Sequence, residues 1–337
     1  MFSKADADQL RQSIRSIKFL DVSTEPTPDL GNDAVRLYKA YKEYYGLNFT
    51  ELDSDLAEVR SSIGTFRSGP YELVCQHFVP AVCPPRKTAF LLHGYFDHAG
   101  LYRHLIRHLL HRGIAVVIFD LPGHGLSSGA TASIGSFEEY TAAFIACLKL
   151  AVVQRLHSPW VVIGQSTGSA VIIDALLEKK LQDGFSFQHK LLLGPLVRPR
   201  HWSRSKILFS LSKHFVASTP RKFSKNSHDT DFLRFLESED ELQSRILPRD
   251  WVQAMIDYIN RFDDAPSQKQ SLQLIQGRSD GTVDWEKNIP AILQKFPGSE
   301  VHWLEEAGHH LVNESIPYRN QLFAIIDGVL ESKSEAT

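Results

Sequence analysis

A mostly parallel α/β sheet with helices on both faces is predicted by three observations on this 337-residue chain. Short apolar runs rich in β-branched and aromatic residues recur along it, bounded by Gly, Pro or charged residues, which is the texture of strands buried on both faces. Helical periods fill the intervals between these runs, and that alternation is what a parallel sheet joined by crossover helices requires. One stretch, residues 196–266, breaks the alternation: it is helical in texture and too long for an ordinary connection, so it reads as an insertion capping the sheet's carboxyl edge.

Taken in order, residues 1–65 are polar and are expected to form a helical extension. Its aromatic stripe from Leu37 to Tyr45 is of the kind that packs on a core, and it is assigned no chemistry. Strands are expected at Thr88–Leu92, Ala115–Phe119, Trp160–Ile163, Lys190–Leu193, Leu272–Ile275 and Val301–Leu304. Helices are expected at Phe137–Arg155, Gly168–Lys180 and Pro317–Glu331. The resulting organisation is an extension (1–65), a core domain (66–195 and 267–337) and a helical cap (196–266). The first half of the cap is basic, with Arg198, Arg200, Arg204, Lys206, Lys213, Arg221, Lys222 and Lys225 and no intervening acid; an acidic run, Asp229 to Glu241, follows.

Composition narrows the function classes. With 43% apolar and 23% charged residues the chain is globular, and a formal charge of −2 gives no global pull toward nucleic acid. Three cysteines, Cys75, Cys83 and Cys147, have no C-x-x-C spacing and predict neither a disulfide framework nor a zinc site. No phosphate-binding glycine loop follows a strand, so no metal or other cofactor is expected. Acidic residues at Asp6 and Asp8 occupy the place of a secretory signal's apolar core, and the cytoplasm is the expected location.

The chemistry is carried by Gly164-Gln165-Ser166-Thr167-Gly168, directly after the apolar strand at Trp160 and before a helical segment. G-x-S-x-G in a strand-turn-helix setting is the sharp elbow that exposes a nucleophilic serine, and its glycines leave room for the turn. A serine hydroxyl is a poor nucleophile at neutral pH and needs a histidine base held by a carboxylate, both later in the chain. Asp280, after the strand ending at Ile275, is the candidate carboxylate, with Asp284 as its neighbour and rival. His309 and His310 both follow the last strand, and they are not expected to point inward together. His93-Gly94-Tyr95 ends an earlier strand; the Tyr95 amide beside the Thr167 amide is the expected oxyanion hole, with Gly94 giving room and His93 bracing the loop.

These blocks resemble the monoacylglycerol lipase and lysophospholipase family of α/β-hydrolases, which is also grouped with the serine aminopeptidases. The likeness rests on four places: His93 to Tyr102, Asp120-Leu121-Pro122-Gly123-His124-Gly125-Leu126-Ser127-Ser128-Gly129, the elbow, and the Asp280 and His309 loops. The family's closing block, His-x-Leu-x-Asn-Glu, matches His309 to Glu314, and its Gly-x-x-Asp-x-x-Val matches Gly277 to Val283. The resemblance therefore implies the α/β-hydrolase fold and a triad of Ser166, Asp280 and His309. Gln165 and Thr167 depart from the His and Met of the animal monoacylglycerol lipases, and Tyr95 is bulkier than the small residue common there.

The implied function is hydrolysis of a carboxylic acyl ester, a monoacylglycerol or lysophospholipid, through an acyl-enzyme on Ser166. A small-molecule or lipid ester is the expected partner, with peripheral contact to membrane lipid through the basic cap and its Trp202, Phe209 and Phe215. Small soluble esters, thioesters or peptide N-termini are the alternative substrates, the last using a carboxylate from Asp229, Asp231 or Glu237 to Glu241. A non-catalytic binding protein on the same fold is the reading from a different class.

Overall fold

The computed structural model describes residues 2–15, 17–18, 32–56, 59–80, 84–181, 184–212 and 215–332. Cys83 and Lys213 lie outside them. Helices α1 (Lys4–Ile14), α2 (Asn32–Tyr45) and α3 (Phe49–Leu52) precede the sheet. The strands are β1 (Arg60–Ser68), β2 (Tyr71–Val79), β3 (Lys87–Leu92), β4 (Ile114–Phe119), β5 (Trp160–Gln165), β6 (Phe187–Leu193), β9 (Gln273–Gly277) and β10 (Glu300–Leu304). They form one eight-stranded sheet in the order β1-β2-β4-β3-β5-β6-β9-β10. From β4 to β10 every pairing is parallel, while β1 and β2 are antiparallel to each other and β2 is antiparallel to β4. The mostly parallel sheet expected from the sequence is the one observed.

Helices α4 (Arg103–His111), α5 (Phe137–Val153), α6 (Thr167–Leu177), α10 (Trp285–Lys295) and α11 (Ile316–Glu331) connect or follow the strands. Between β6 and β9 the chain adds α7 (Trp202–Ser212), a small antiparallel pair β7 (Ser218–Pro220) and β8 (Ile246–Pro248), α8 (Thr230–Ser238) and α9 (Arg249–Asp264).

The hairpin of β1 and β2 is where the fold departs from expectation. Arg60 already begins a strand within the stretch expected to be helical, and all nine residues pair across the turn at Gly69-Pro70. Pairing along its whole length, rather than its own polar sequence, stabilises β1.

Alternation along the central strands divides the core between the two faces of the sheet. In β5, Val161 and Ile163 pack on one side with Leu37, Tyr41 and Ile326, while Trp160 and Val162 pack on the other with Phe144, Ile173 and Phe262. Helices α1 and α2 therefore cover sheet surface, and the stripe Tyr38, Tyr41 and Tyr45 is buried in that first layer.

Tyr45 does more than pack. Its hydroxyl donates to Asp240 Oδ1 at 2.8 Å, and Asp240 Oδ2 receives His98 Nε2–H at 3.0 Å, with His98 and Asp240 fully buried. His98 Nδ1 accepts from the Gly100 amide, which fixes the hydrogen on Nε2. Burial opposes both charges, yet each partner prevails: His98 is raised above the ordinary imidazole value and Asp240 held below the usual carboxylate range. One contact thus joins the N-terminal helices, the loop after β3 and the segment after α8. Asp240→Ala, which strands a buried imidazole, is expected to lower stability by about 3–5 kcal/mol. Tyr45→Phe removes one hydrogen bond to a charged group and should lower it by about 1.5–3 kcal/mol. Urea unfolding of the three proteins checks the ranking.

Candidate active site

Ser166 joins β5 to α6 with φ +54° and ψ −110°, a conformation an L-residue adopts only when its surroundings enforce it. The enforcement is visible. A Cβ on Gly168 would sit 2.1 Å from Leu92 O, so α6 can start this close to β3 only with glycine there, and Gly164 backs directly onto Gly168. The Ser166 amide donates to Leu193 O at 2.8 Å, and the Ser169 hydroxyl to Gly164 O at 2.6 Å. The serine sits at the N-terminus of α6, whose first-turn amides and dipole favour negative charge.

Three loops bring partners to it. His309 Nε2 lies 2.9 Å from Ser166 Oγ, and His309 Nδ1 lies 2.7 Å from Asp280 Oδ2. Asp280 can only accept, so Nδ1 carries the hydrogen and Nε2 is free to receive the serine proton. The Asp280 carboxylate also accepts from the Thr282 and Val283 amides at 2.7 and 3.1 Å and from Gln276 Nε2 at 3.1 Å. Burial works against its charge, but the His309 imidazole and these donors hold it below the usual range. Burial likewise works against charge on His309, and the Asp280 carboxylate outweighs it, raising His309 above the ordinary imidazole value. Asp284 stands elsewhere: its carboxylate meets Lys287 Nζ at 2.6 Å.

The His309 loop is itself anchored. Gln165 Nε2 donates to His309 O at 2.9 Å, and the amides of His309 and His310 share Asn226 O at 2.9 and 2.8 Å. Two neighbouring amides on one carbonyl make a tight turn, in which successive side chains do not alternate as they do in a strand. His309 and His310 consequently both border the same cavity, contrary to the expectation that only one points inward. His310 Nε2 meets Asp97 Oδ1 at 3.1 Å. The sequence pairs a histidine with Asp280, and the structure adds a second Asp–His pair beside it.

The loop after β3 completes the surroundings of Ser166. His93 is fully buried: Nδ1–H donates to Gly94 O at 2.8 Å and Nε2 accepts the Leu121 amide at 2.9 Å. Burial pushes its imidazole down to about 3, so it stays neutral and serves as a brace between two loops. The Gly94 amide donates to Tyr102 Oη at 3.0 Å, and Tyr102 donates to Asp97 Oδ2 at 3.2 Å. A Cβ on Gly94 would fall 2.8 Å from Asp97 Oδ2 and 3.5 Å from that of Ser166, so glycine lets the loop approach. No acceptor among the described residues takes the Tyr95 or Thr167 amide. Tyr95 stacks on Trp251 of α9 at 3.7 Å between ring centroids and donates to Ala132 O at 2.6 Å. Its bulk therefore ties the loop to the insertion.

These groups open into a cavity of about 850 Å³ whose surface is largely apolar, with Leu196, Leu236, Leu247 and Trp251 among its lining residues. Residues from the loops after β3 and β5, from the insertion, and from the loops after β9 and β10 line it together. The charged runs of the insertion separate on folding. Arg198 pairs with Asp263, and Arg200 Nη1 donates to Asp280 O at 3.2 Å, whereas Arg221, Lys222 and Lys225 border the cavity. Of the acidic run, Asp229 caps α8, Asp231 pairs with Arg234, Asp240 is bound to His98, and Glu237 reaches the cavity wall. Among the described residues no group of three or more His, Cys, Asp or Glu side chains is gathered for a metal ion, and no helix is long and apolar enough to cross a membrane.

The family model described as serine aminopeptidase, S33, matches residues 83–316. The monoacylglycerol lipase of Mycolicibacterium smegmatis is 31% identical over 88 residues, covering 26% of this chain and 31% of that protein. The monoglyceride lipase of Rattus norvegicus is 23% identical over 256 residues, covering 73% of this chain and 82% of that one. Among solved structures, a soluble variant of the monoglyceride lipase of Saccharomyces cerevisiae superposes with a TM-score of 0.68 at 14% identity, over 80% of this chain and 96% of that one. That likeness is one of fold. With the family model spanning well over half of its length, the chain belongs to the serine aminopeptidase S33 family of α/β-hydrolases.

Proposed function

We propose that this protein hydrolyses carboxylic acyl esters, of the monoacylglycerol or lysophospholipid class, through an acyl-enzyme on Ser166. The observation that carries the reading is the unbroken chain from Asp280 through His309 to Ser166 Oγ, with links of 2.7 and 2.9 Å, at the wall of a largely apolar cavity. Serine supplies the nucleophile, and His309 takes its proton on Nε2 as the Oγ–carbon bond forms. Asp280 stays ionised, holding the imidazole's tautomer and stabilising the imidazolium. The carbonyl oxygen becomes an oxyanion facing the Tyr95 and Thr167 amides, reinforced by the N-terminus of α6. His309 then protonates the departing alkoxide. Water repeats the sequence in reverse, and the acid leaves.

In this reading residues 196–266 are the cap over a core of 66–195 and 267–337, and the apolar cavity between them takes the acyl chain. The names of the rat and mycobacterial relatives support a lipid ester. Contact with a lipid surface belongs to the same reading, because Ile207, next to Lys206 in the chain, is 62% exposed and Phe215 is 89% exposed. A peptide N-terminus is less well supported: its cationic amine would meet Arg221, Lys222 and Lys225, while Asp229, Asp231 and Asp240 of the acidic run are engaged elsewhere and Glu237 is the one acid of that run bordering the cavity.

Ser166→Ala is expected to lower monoolein turnover by at least about 10⁴-fold and to abolish fluorophosphonate labelling, with the fold retained by circular dichroism. Labelling that persists in this variant would refute the nucleophile. His309→Ala should fall as far, whereas His310→Ala, which removes a partner of Asp97 and not the base, should lose at least about 100-fold less. The pH profile is a separate test. kcat/KM should fall on the acid side as His309 takes a proton, with a midpoint above the ordinary imidazole value because the Asp280 carboxylate favours the charged ring. Asp280→Asn removes that charge, so the midpoint should move to lower pH while kcat drops by about 10⁴-fold. A midpoint that stays or rises contradicts the assignment.

A further inference from the structure

Arg221 follows β7 and borders the same cavity as Ser166 and His309. Its guanidinium carbon lies 4.2 Å from the Phe96 ring centroid and 4.3 Å from that of Phe223. Phe96 is the residue after Tyr95, held at φ +68°, a region that a bulky side chain rarely occupies. The strained loop that offers the Tyr95 amide thus also seats the guanidinium.

The hydrogen-bond partners of Arg221 are neutral. Nη1 donates to Gln243 Oε1 and, at 3.3 Å, to Ser244 O. Nε and Nη2 have no acceptor among the described residues, and no carboxylate there comes within ion-pair distance of the guanidinium. Asp97 and Asp240 are near enough to act on its charge, but Asp97 is held by His310 and Tyr102, and Asp240 by His98 and Tyr45. Burial pushes the guanidinium down to about 10, so withdrawal from water outweighs what these acids return. Lys222 and Lys225 border the cavity as well, and neither forms an ion pair among the described residues.

A half-buried cation whose nearby carboxylates are both bound to other partners is destabilising, and contact with two aromatic faces offsets only part of that. The unused Nε and Nη2 hydrogens form the side-on edge of the guanidinium, whose spacing fits two oxygens of a carboxylate or phosphate. We propose that Arg221 is an anion-recognition residue of the substrate cavity, so that the preferred acyl ester carries a phosphate or carboxylate group and is not a neutral glyceride. The inference rests on Ser166 being the nucleophile at this cavity. It names a substrate charge that the reading of the triad leaves open.

The test uses two pairs of esters matched except for charge: 1-oleoyl-lysophosphatidate against monoolein, and octyl hydrogen succinate against octyl pentanoate. The wild-type protein should favour the charged member of at least one pair by about 10-fold or more in kcat/KM, the equivalent of about 1.4 kcal/mol. The pair that shows the preference tells phosphate from carboxylate. Arg221→Met should reduce that ratio by at least about 10-fold, and Arg221→Lys, which keeps the charge without the fork, should retain part of it. Fluorophosphonate labelling of Ser166 in each variant separates a lost subsite from a lost fold. Equal or better turnover of both neutral esters by labelled wild type overturns the anion subsite alone, as does an unchanged ratio in Arg221→Met. Absence of labelling in the wild type overturns the nucleophile and the subsite together.

Discussion

The left-handed backbone of Ser166 is the constraint around which the central sheet is arranged. It is held because β3, β5 and β6 lie side by side: Leu92 O presses on the Gly168 position, and Leu193 O takes the Ser166 amide. A strained residue persists only when its surroundings over-determine it, and here three buried strands and the start of α6 do so. The same close approach sets the serine at a helix N-terminus and the Thr167 amide beside it. Partners from three more loops then need only reach one fixed point.

Those loops are tied to their surroundings by buried polar contacts. Asp280, Asp97 and Asp240 each meet a histidine within the interior, and each carries further donors that keep it ionised. Such pairs are favourable only when their remaining lone pairs are satisfied, which the Thr282 and Val283 amides, Tyr102 and Tyr45 accomplish. Arg221 is the contrast. It is half-buried, its hydrogen-bond partners are neutral, and its position in the cavity that Ser166 borders is what makes the imbalance informative about the substrate.

The N-terminal helices have a defined place in this arrangement. They bury one face of the sheet and, through Tyr45, hold the residue that pairs with His98. Tyr44 adds a 2.6 Å bond from its hydroxyl to Glu239 O. The insertion is thereby tied down on that side, while Tyr95 stacked on Trp251 ties it on the other.

What the sequence determined by itself was local and periodic. Apolar runs placed the parallel strands because burial on both faces requires continuous hydrophobicity, and Gly164 to Gly168 placed the elbow because a sharp turn before a helix tolerates little else. Strand ends likewise marked the loops of Asp280, of His309 and His310, and of His93-Gly94-Tyr95 as the candidate site, and the family resemblance singled out His309 and Asp280 over His310 and Asp284. The hairpin of β1 and β2 was not legible, because β1 owes its state to its partner strand. Tertiary structure alone decided the pairings that join distant residues: His98 with Asp240 across 142 positions, and His310 with Asp97 across 213. It alone decided, too, which of the eight basic residues in the first half of the insertion would border the cavity without an ion-pair partner among the described residues. Periodicity reports which face of an element is buried; it carries no information on which polar groups the fold will bring together there, or leave without a partner.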